Sequence, residues 1–142
     1  MWELYSPDGR ICIQGEGALL RVTKEGRCQW EAELGFELNT GSVSFAKPVP
    51  SAITTAKERY ALPCGKLDWY EENANECLVD YGMVRLRVRA DVQGAAFRYE
   101  FPGEGQCLTI AEKTCFHFAP EYETLYAQDL FSTYERPYDR RS

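Results

Sequence analysis

The chain has 142 residues, 44% of them hydrophobic and 27% charged, which suits one globular domain with its own core and leaves too little for two. Its formal net charge of −6 argues against a general role on nucleic acid or on an anionic membrane, since both need clustered Lys and Arg. No apolar run is long enough to span a bilayer. The start, Met1-Trp2-Glu3-Leu4-Tyr5, lacks the basic and apolar regions of a secretory signal, so the expected location is cytoplasmic.

Ser6-Pro7-Asp8-Gly9 reads as the first turn, with Pro fixing φ and Gly able to take a positive one. Arg10 to Gln14 and Ala18 to Lys24 are predicted strands of a hairpin around Gly15-Glu16-Gly17. Lys24-Glu25-Gly26-Arg27 is the next turn. Leu34 to Leu38 is a strand that passes through Asn39-Thr40-Gly41 into another, Val43 to Ala46.

The clearest alternation runs from Met83 to Asp91. There Val84, Leu86, Val88 and Ala90 face one way and Arg85, Arg87 and Arg89 the other, which is the period of a half-buried strand. Ala95 to Phe101 alternates again, so the two segments form a hairpin with Val84, Leu86, Val88, Phe97, Tyr99 and Phe101 buried. Pro102-Gly103-Glu104-Gly105 ends it, and Cys107 to Ile110 and Thr114 to Phe118 follow as short strands. With no helical stripe before about residue 120, the expected fold class is all-β, a single antiparallel β-sandwich over 1–142.

The segment 120–142 is an aromatic tail. Tyr122, Tyr126, Leu130, Tyr134 and Tyr138 recur every fourth residue, as on one stripe of a helix, although Pro137 would interrupt it. An irregular docked tail fits the same residues.

Six cysteines invite a disulfide framework. In a chain without a visible signal, Cys12, Cys28, Cys64, Cys77, Cys107 and Cys115 are instead expected to stay reduced. The single histidine, His117, shares a strand face with Cys115, but no zinc-type spacing joins them, so no metal site is predicted. A Ser or Cys nucleophile has no Gly-x-Ser-x-Gly turn to support it. Glu71-Glu72, Glu121 with Glu123, and Glu135 are carboxylates of the type glycosidic cleavage uses, but nothing pairs them across a bond. The arginine stripe suits a solvated sheet face with acidic cross-strand partners. Trp69-Tyr70 and the tail tyrosines could supply flat rings for a sugar or anchors for an interface.

Six short motifs stand in order along the chain. The first are Ser6-Pro7-Asp8-Gly9, Leu34-Gly35-Phe36-Glu37-Leu38, and Tyr60-Ala61-Leu62-Pro63-Cys64-Gly65-Lys66 with Asn75-Glu76 beyond it. Arg89-Ala90-Asp91 leading into Gly94-Ala95-Ala96-Phe97-Arg98-Tyr99-Glu100-Phe101-Pro102 is the most specific. Glu112-Lys113-Thr114-Cys115-Phe116-His117-Phe118 and Tyr134-Glu135-x-x-Tyr138 complete the series. In this order the motifs resemble the N-terminal domain of glycoside hydrolase family 97.

The resemblance implies a galactose mutarotase-like sandwich that packs on a catalytic (β/α)8 barrel and forms part of its pocket wall. The barrel belongs to an exo-acting α-glucosidase or α-galactosidase with an active-site calcium ion. Acid, base or nucleophile, and most calcium ligands lie on that barrel, so no catalytic residue, metal ligand or cofactor carries over to this chain. Its expected role is a non-catalytic domain of such an enzyme, with Trp69, Tyr70, Tyr134, Glu135 and Tyr138 as substrate-binding or interface residues. The alternative is a free-standing carbohydrate-binding sandwich using the same aromatics as a platform.

Overall fold

The structure, a computed structural model, describes residues 1–64, 66, 68–103, 108–118, 124–126 and 139–141. Its strands in chain order are β1 (Trp2–Tyr5), β2 (Ile11–Glu16), β3 (Leu19–Lys24), β4 (Arg27–Glu33), β5 (Phe36–Leu38), β6 (Gly41–Ser42), β7 (Val49–Pro50) and β8 (Thr54–Ala61). After them come β9 (Trp69–Asp80), β10 (Arg85–Asp91), β11 (Ala95–Glu100), β12 (Thr109–Glu112), β13 (Cys115–Phe118), β14 (Thr124–Tyr126) and β15 (Asp139–Arg141). Neighbouring strands are antiparallel in every described pair.

Two five-stranded sheets form the sandwich. The first runs β1-β2-β3-β4-β13; the second runs β11-β10-β9-β7, with β8 also paired to β9. The first sheet is a meander because its turns are tight. The Gly9 amide donates to the Ser6 carbonyl at 2.9 Å, and Ser6 Oγ donates to Asp8 at 2.6 Å, closing the predicted first turn. Between β3 and β4, Glu25 and Gly26 both take positive φ (51° and 78°), the backbone a two-residue hairpin turn requires.

The core lies where the inner faces meet. Leu4, Ile13, Leu20 and Ala32 of the first sheet pack with Val79, Val84, Leu86 and Val88 from β9, β10 and the turn between them, all at most 2% exposed. Fully burying side chains of this size contributes about 1.5–3 kcal/mol each. Ser6 is buried with its hydroxyl engaged, accepting from the Ile11 amide at 3.0 Å.

The Met83–Asp91 alternation is realised as β10, and its partner register, Leu86 with Tyr99 and Val88 with Phe97, is the predicted hairpin. Burial along β11 is weaker than expected, however. Phe97 and Tyr99 are half-buried and Phe101 is 42% exposed. β11 ends at Glu100 on the sheet edge, so Phe101 packs on Phe36 and no described residue closes over its outer side.

Three further elements differ from the sequence reading. Val43 to Ala46 is not a strand. Pairing stops at Ser42, and Val43 and Phe45 enter the core from an irregular segment held by the Val43 amide on the Phe36 carbonyl (3.0 Å). The long β8–β9 pair carries no clear period, because charged residues such as Lys57, Glu58, Arg59, Glu71 and Glu72 occupy both of its faces. In the tail, Thr124–Tyr126 pairs with Asp139–Arg141, so a helix through Tyr126 does not form. A spacing of four is even, and residues four apart share a face of a strand as well as of a helix. Tyr122, Leu130, Tyr134, Glu135 and Tyr138 lie outside the described residues. So does Cys107, while Cys12, Cys28, Cys64, Cys77 and Cys115 are free thiols.

Candidate interaction site

β9 is the longest strand and reaches past the sandwich. Its second half, Ala74 to Asp80, pairs with β10, whereas Trp69 to Asn73 pair only with β8 among the described residues. The side chain of Asn75 marks the boundary, donating from Nδ2 to the Tyr5 carbonyl of the first sheet at 2.8 Å. Beyond it β8 and the start of β9 form a two-stranded ribbon. Trp69 (54%) and Tyr60 (46%) are exposed on it, and all of β8 except Ala56 is exposed.

Trp69 and Tyr70 are adjacent in one strand, so their side chains point to opposite faces of the ribbon. They do not form one flat platform. Trp69 lies under Arg59, whose guanidinium carbon is 5.0 Å from the ring centroid, and Arg59 also reaches Glu71 at 3.4 Å. Tyr70 instead faces Tyr60, with ring centroids 5.4 Å apart. Desolvation, helped by the nearby carboxylate of Asp91, raises the Tyr70 phenol above its ordinary range. Tyr60 is the partner that sequence reasoning missed; only the strand register reveals it.

The arginine stripe is a ladder of ion pairs on the outer face of the second sheet. Arg87 grips Glu100 with two bonds, Nε at 2.6 Å and an amino nitrogen at 3.1 Å, and also bonds Glu76. Arg89 bonds Glu72 and reaches Glu76 through Nε at 3.0 Å, Arg85 holds Asp80 at 3.1 Å, and Arg98 adds a second cation to Glu100 at 2.7 Å. These are the acidic cross-strand partners that the stripe predicts. The Arg87 bond, with Arg98 behind it, lowers the Glu100 carboxyl to about 2 against an opposing desolvation. Desolvation alone would raise Glu76, but bonds from Arg89 and Arg87 outweigh it and leave the group depressed.

Depressed carboxylates stabilise the fold above their unfolded pKa, and that contribution is lost as pH falls through the folded value. Glu100 therefore supports the fold fully above about pH 5, and its support should fade between there and pH 2. Solvent screening limits its share to about 1 kcal/mol. Urea melts at pH 7 and pH 2.5 should show that Glu100→Gln narrows the difference between the two. An identical pH response in wild type and variant would show that the ladder contributes nothing.

A polar cleft of about 630 Å³ opens on the outer face of the first sheet, lined in part by Tyr5, Gln14, Arg21, Glu31 and His117. His117 sits opposite Glu31, which holds Arg21 at 2.6 Å, so the rung is an ordinary cross-strand network. Among the described residues no three His, Cys, Asp or Glu side chains converge to hold a metal ion. The acidic cluster of Glu72, Glu76 and Glu100 faces arginines on an open sheet surface.

The family profile described as Glycosyl-hydrolase 97 N-terminal matches residues 4–142. The chain belongs to that family. The glycosyl-hydrolase 97 N-terminal fold is also found in solved relatives. A glycoside hydrolase family 97 enzyme from Pseudoalteromonas sp. strain K8 matches in its panose complex at TM-score 0.74 and in its acarbose complex at 0.75, both at 20% identity. These matches cover 98% and 99% of this chain and 24% of the enzyme. A β-arabinopyranosidase structure matches at TM-score 0.68 and 21% identity, over 87% of this chain and 22% of that one. This chain thus spans about a quarter of the length of the solved enzymes. No curated protein matches it.

Proposed function

We propose that the chain is the non-catalytic N-terminal domain of a family 97 exo-α-glycosidase, packing on a (β/α)8 barrel and shaping its substrate pocket. The single observation that supports this most is coverage: nearly all of this chain superposes on under a quarter of the Pseudoalteromonas family 97 enzyme, as one part of a larger machine. The panose and acarbose bound by the Pseudoalteromonas enzyme favour an oligosaccharide as substrate of the whole enzyme.

In this reading the barrel supplies the acid and the base or nucleophile. Calcium is likewise a property of the whole enzyme. On the second sheet Glu71, Glu72, Glu76, Asp80 and Glu100 are each paired with an arginine, and among the described residues no three acidic side chains converge as a calcium site would need. The ribbon that overhangs the sandwich, with Trp69 on one face and Tyr60 and Tyr70 on the other, is the part of the domain best placed to reach a neighbouring domain. The protein works in the cytoplasm with its thiols reduced.

Calorimetric titration of the isolated chain with panose tests the reading against the free-standing binding module. A pocket wall without its pocket should give no saturable heat up to about 10 mM sugar, a binding free energy weaker than about 3 kcal/mol. Saturation in the millimolar range or tighter, abolished by Trp69→Ala, would favour the module instead.

A further inference from the structure

Among the described residues β11 is the last strand of its sheet, and its outer edge carries a self-complementary pattern. The Asp91 amide donates to the Gly94 carbonyl at 2.9 Å, and Arg89–Ala96, Arg87–Arg98 and Arg85–Glu100 follow in phase with that pair. In an antiparallel ladder such in-phase residues bond each other, and those between them turn their N–H and C=O groups the other way. Phe97 and Tyr99 therefore present unpaired backbone groups to the outside, since β11 ends its sheet among the described residues. Pro102, which has no N–H, falls in the inward-directed set and leaves the outer row of donors intact.

Side chains along this edge decide what can pair with it. Phe97, Tyr99 and Phe101 lie on the core side, while Arg98, with its side chain 69% exposed, and Glu100 lie on the outer side. If a second β11 pairs antiparallel with Tyr99 opposite Tyr99, Arg98 falls opposite Glu100 of the second copy, twice by symmetry, and Phe97 falls opposite Phe101. Sliding one step either way puts Arg98 on Arg98 or Glu100 on Glu100. A slip by a single residue would turn aromatic side chains onto the charged face. One register is thus favoured by charge and its neighbours are penalised.

We propose that the chain forms a two-fold homodimer through β11, joining the two second sheets into one continuous sheet centred on Tyr99. A two-fold axis perpendicular to the sheet keeps both cores on the same side. It also brings together the open seams of the two sandwiches, where Phe97 of β11 stacks on Phe116 of β13 (6.0 Å) and both meet Trp30 (6.3 and 5.5 Å). Phe116 is 47% exposed in the single chain and would be covered. The other large edge, β8, offers no such match: it is exposed on both faces and carries Lys57, Glu58 and Arg59 in succession. This inference does not depend on the enzyme context proposed above.

Sedimentation equilibrium over a wide concentration range is the test, combined with amide exchange. The mass should rise with concentration from 16.3 kDa to twice that value. Over the same range the Phe97 and Tyr99 amides should become protected, while the Arg98 amide is protected throughout. Arg98→Glu places Glu on Glu at both symmetric sites and should weaken the dimer about tenfold. A monomer at every concentration would overturn the proposal. So would a dimer that leaves the Tyr99 amide unprotected, which points to another edge, or one indifferent to R98E.

Discussion

Gly15→Ala should destabilise this protein by about 3 kcal/mol, although the same change at most strand positions is favourable by roughly 0.5–1 kcal/mol. Gly15 sits in β2 directly opposite Trp2 of β1, and its φ is not in the positive range, so the backbone itself would accept alanine. The obstacle is the Trp2 ring, which lies flat over the glycine. An added methyl carbon would fall 2.2 Å from one ring carbon and 2.3 Å from the next. Trp2 is 7% exposed and belongs to the core, so the ring cannot tilt away without opening contacts beneath it. Thermal unfolding should drop by about 10 °C for a domain of this size. Because the two effects have opposite signs, the experiment is decisive in direction as well as size: an unchanged or higher midpoint would mean the ring is not where the structure puts it. Trp2→Leu should recover part of the Gly15→Ala loss by vacating the space, and that coupling would tie the effect to this pair.

How far such features were legible in the sequence depends on whether one face of a strand is buried and the other wet. β10 meets that condition, and Val84, Leu86 and Val88 could be assigned to the core, and the arginines to acidic partners, from period alone. β9 meets it only in its second half. Where the ribbon overhangs, both faces are wet, the pattern disappears, and neither β8 nor the start of β9 could be drawn from residues. Phe101 failed for a different reason: hydrophobic pattern reports which face a residue is on, not whether its strand is internal or at an edge. The same limit hid the pairing of Tyr60 with Tyr70, since cross-strand neighbours depend on register, and nothing local sets the register of so long a hairpin. Trp69 and Tyr70 could be chosen for their chemistry, yet their separation onto two faces needed only the knowledge that they share a strand.

The isolated chain should show no turnover of nitrophenyl α-glucoside or α-galactoside, with or without added calcium. Glycosidic cleavage needs one carboxyl group to protonate the leaving oxygen and another to attack or to activate water, about 5–10 Å apart across a shared site. The first must hold its proton near neutral pH, which requires burial away from cations. Glu76, Asp80 and Glu100 show the reverse. Glu100 is pulled down to about 2 by Arg87 and Arg98, and Glu76 and Asp80 are also depressed, by Arg89 and Arg87 and by the Gly82 amide and Arg85 respectively. Such groups are ionised throughout the physiological range and cannot act as general acids. They also lie on an open sheet face, where water competes for every contact a bound sugar would make. The difference from a working enzyme should be large, since acid and nucleophile together account for many orders of magnitude in rate. Purified chain should therefore match buffer within error over a day. Activity that survives repeated purification, follows the protein on a sizing column and disappears on unfolding would place a working carboxylate pair within these 142 residues and refute the non-catalytic reading.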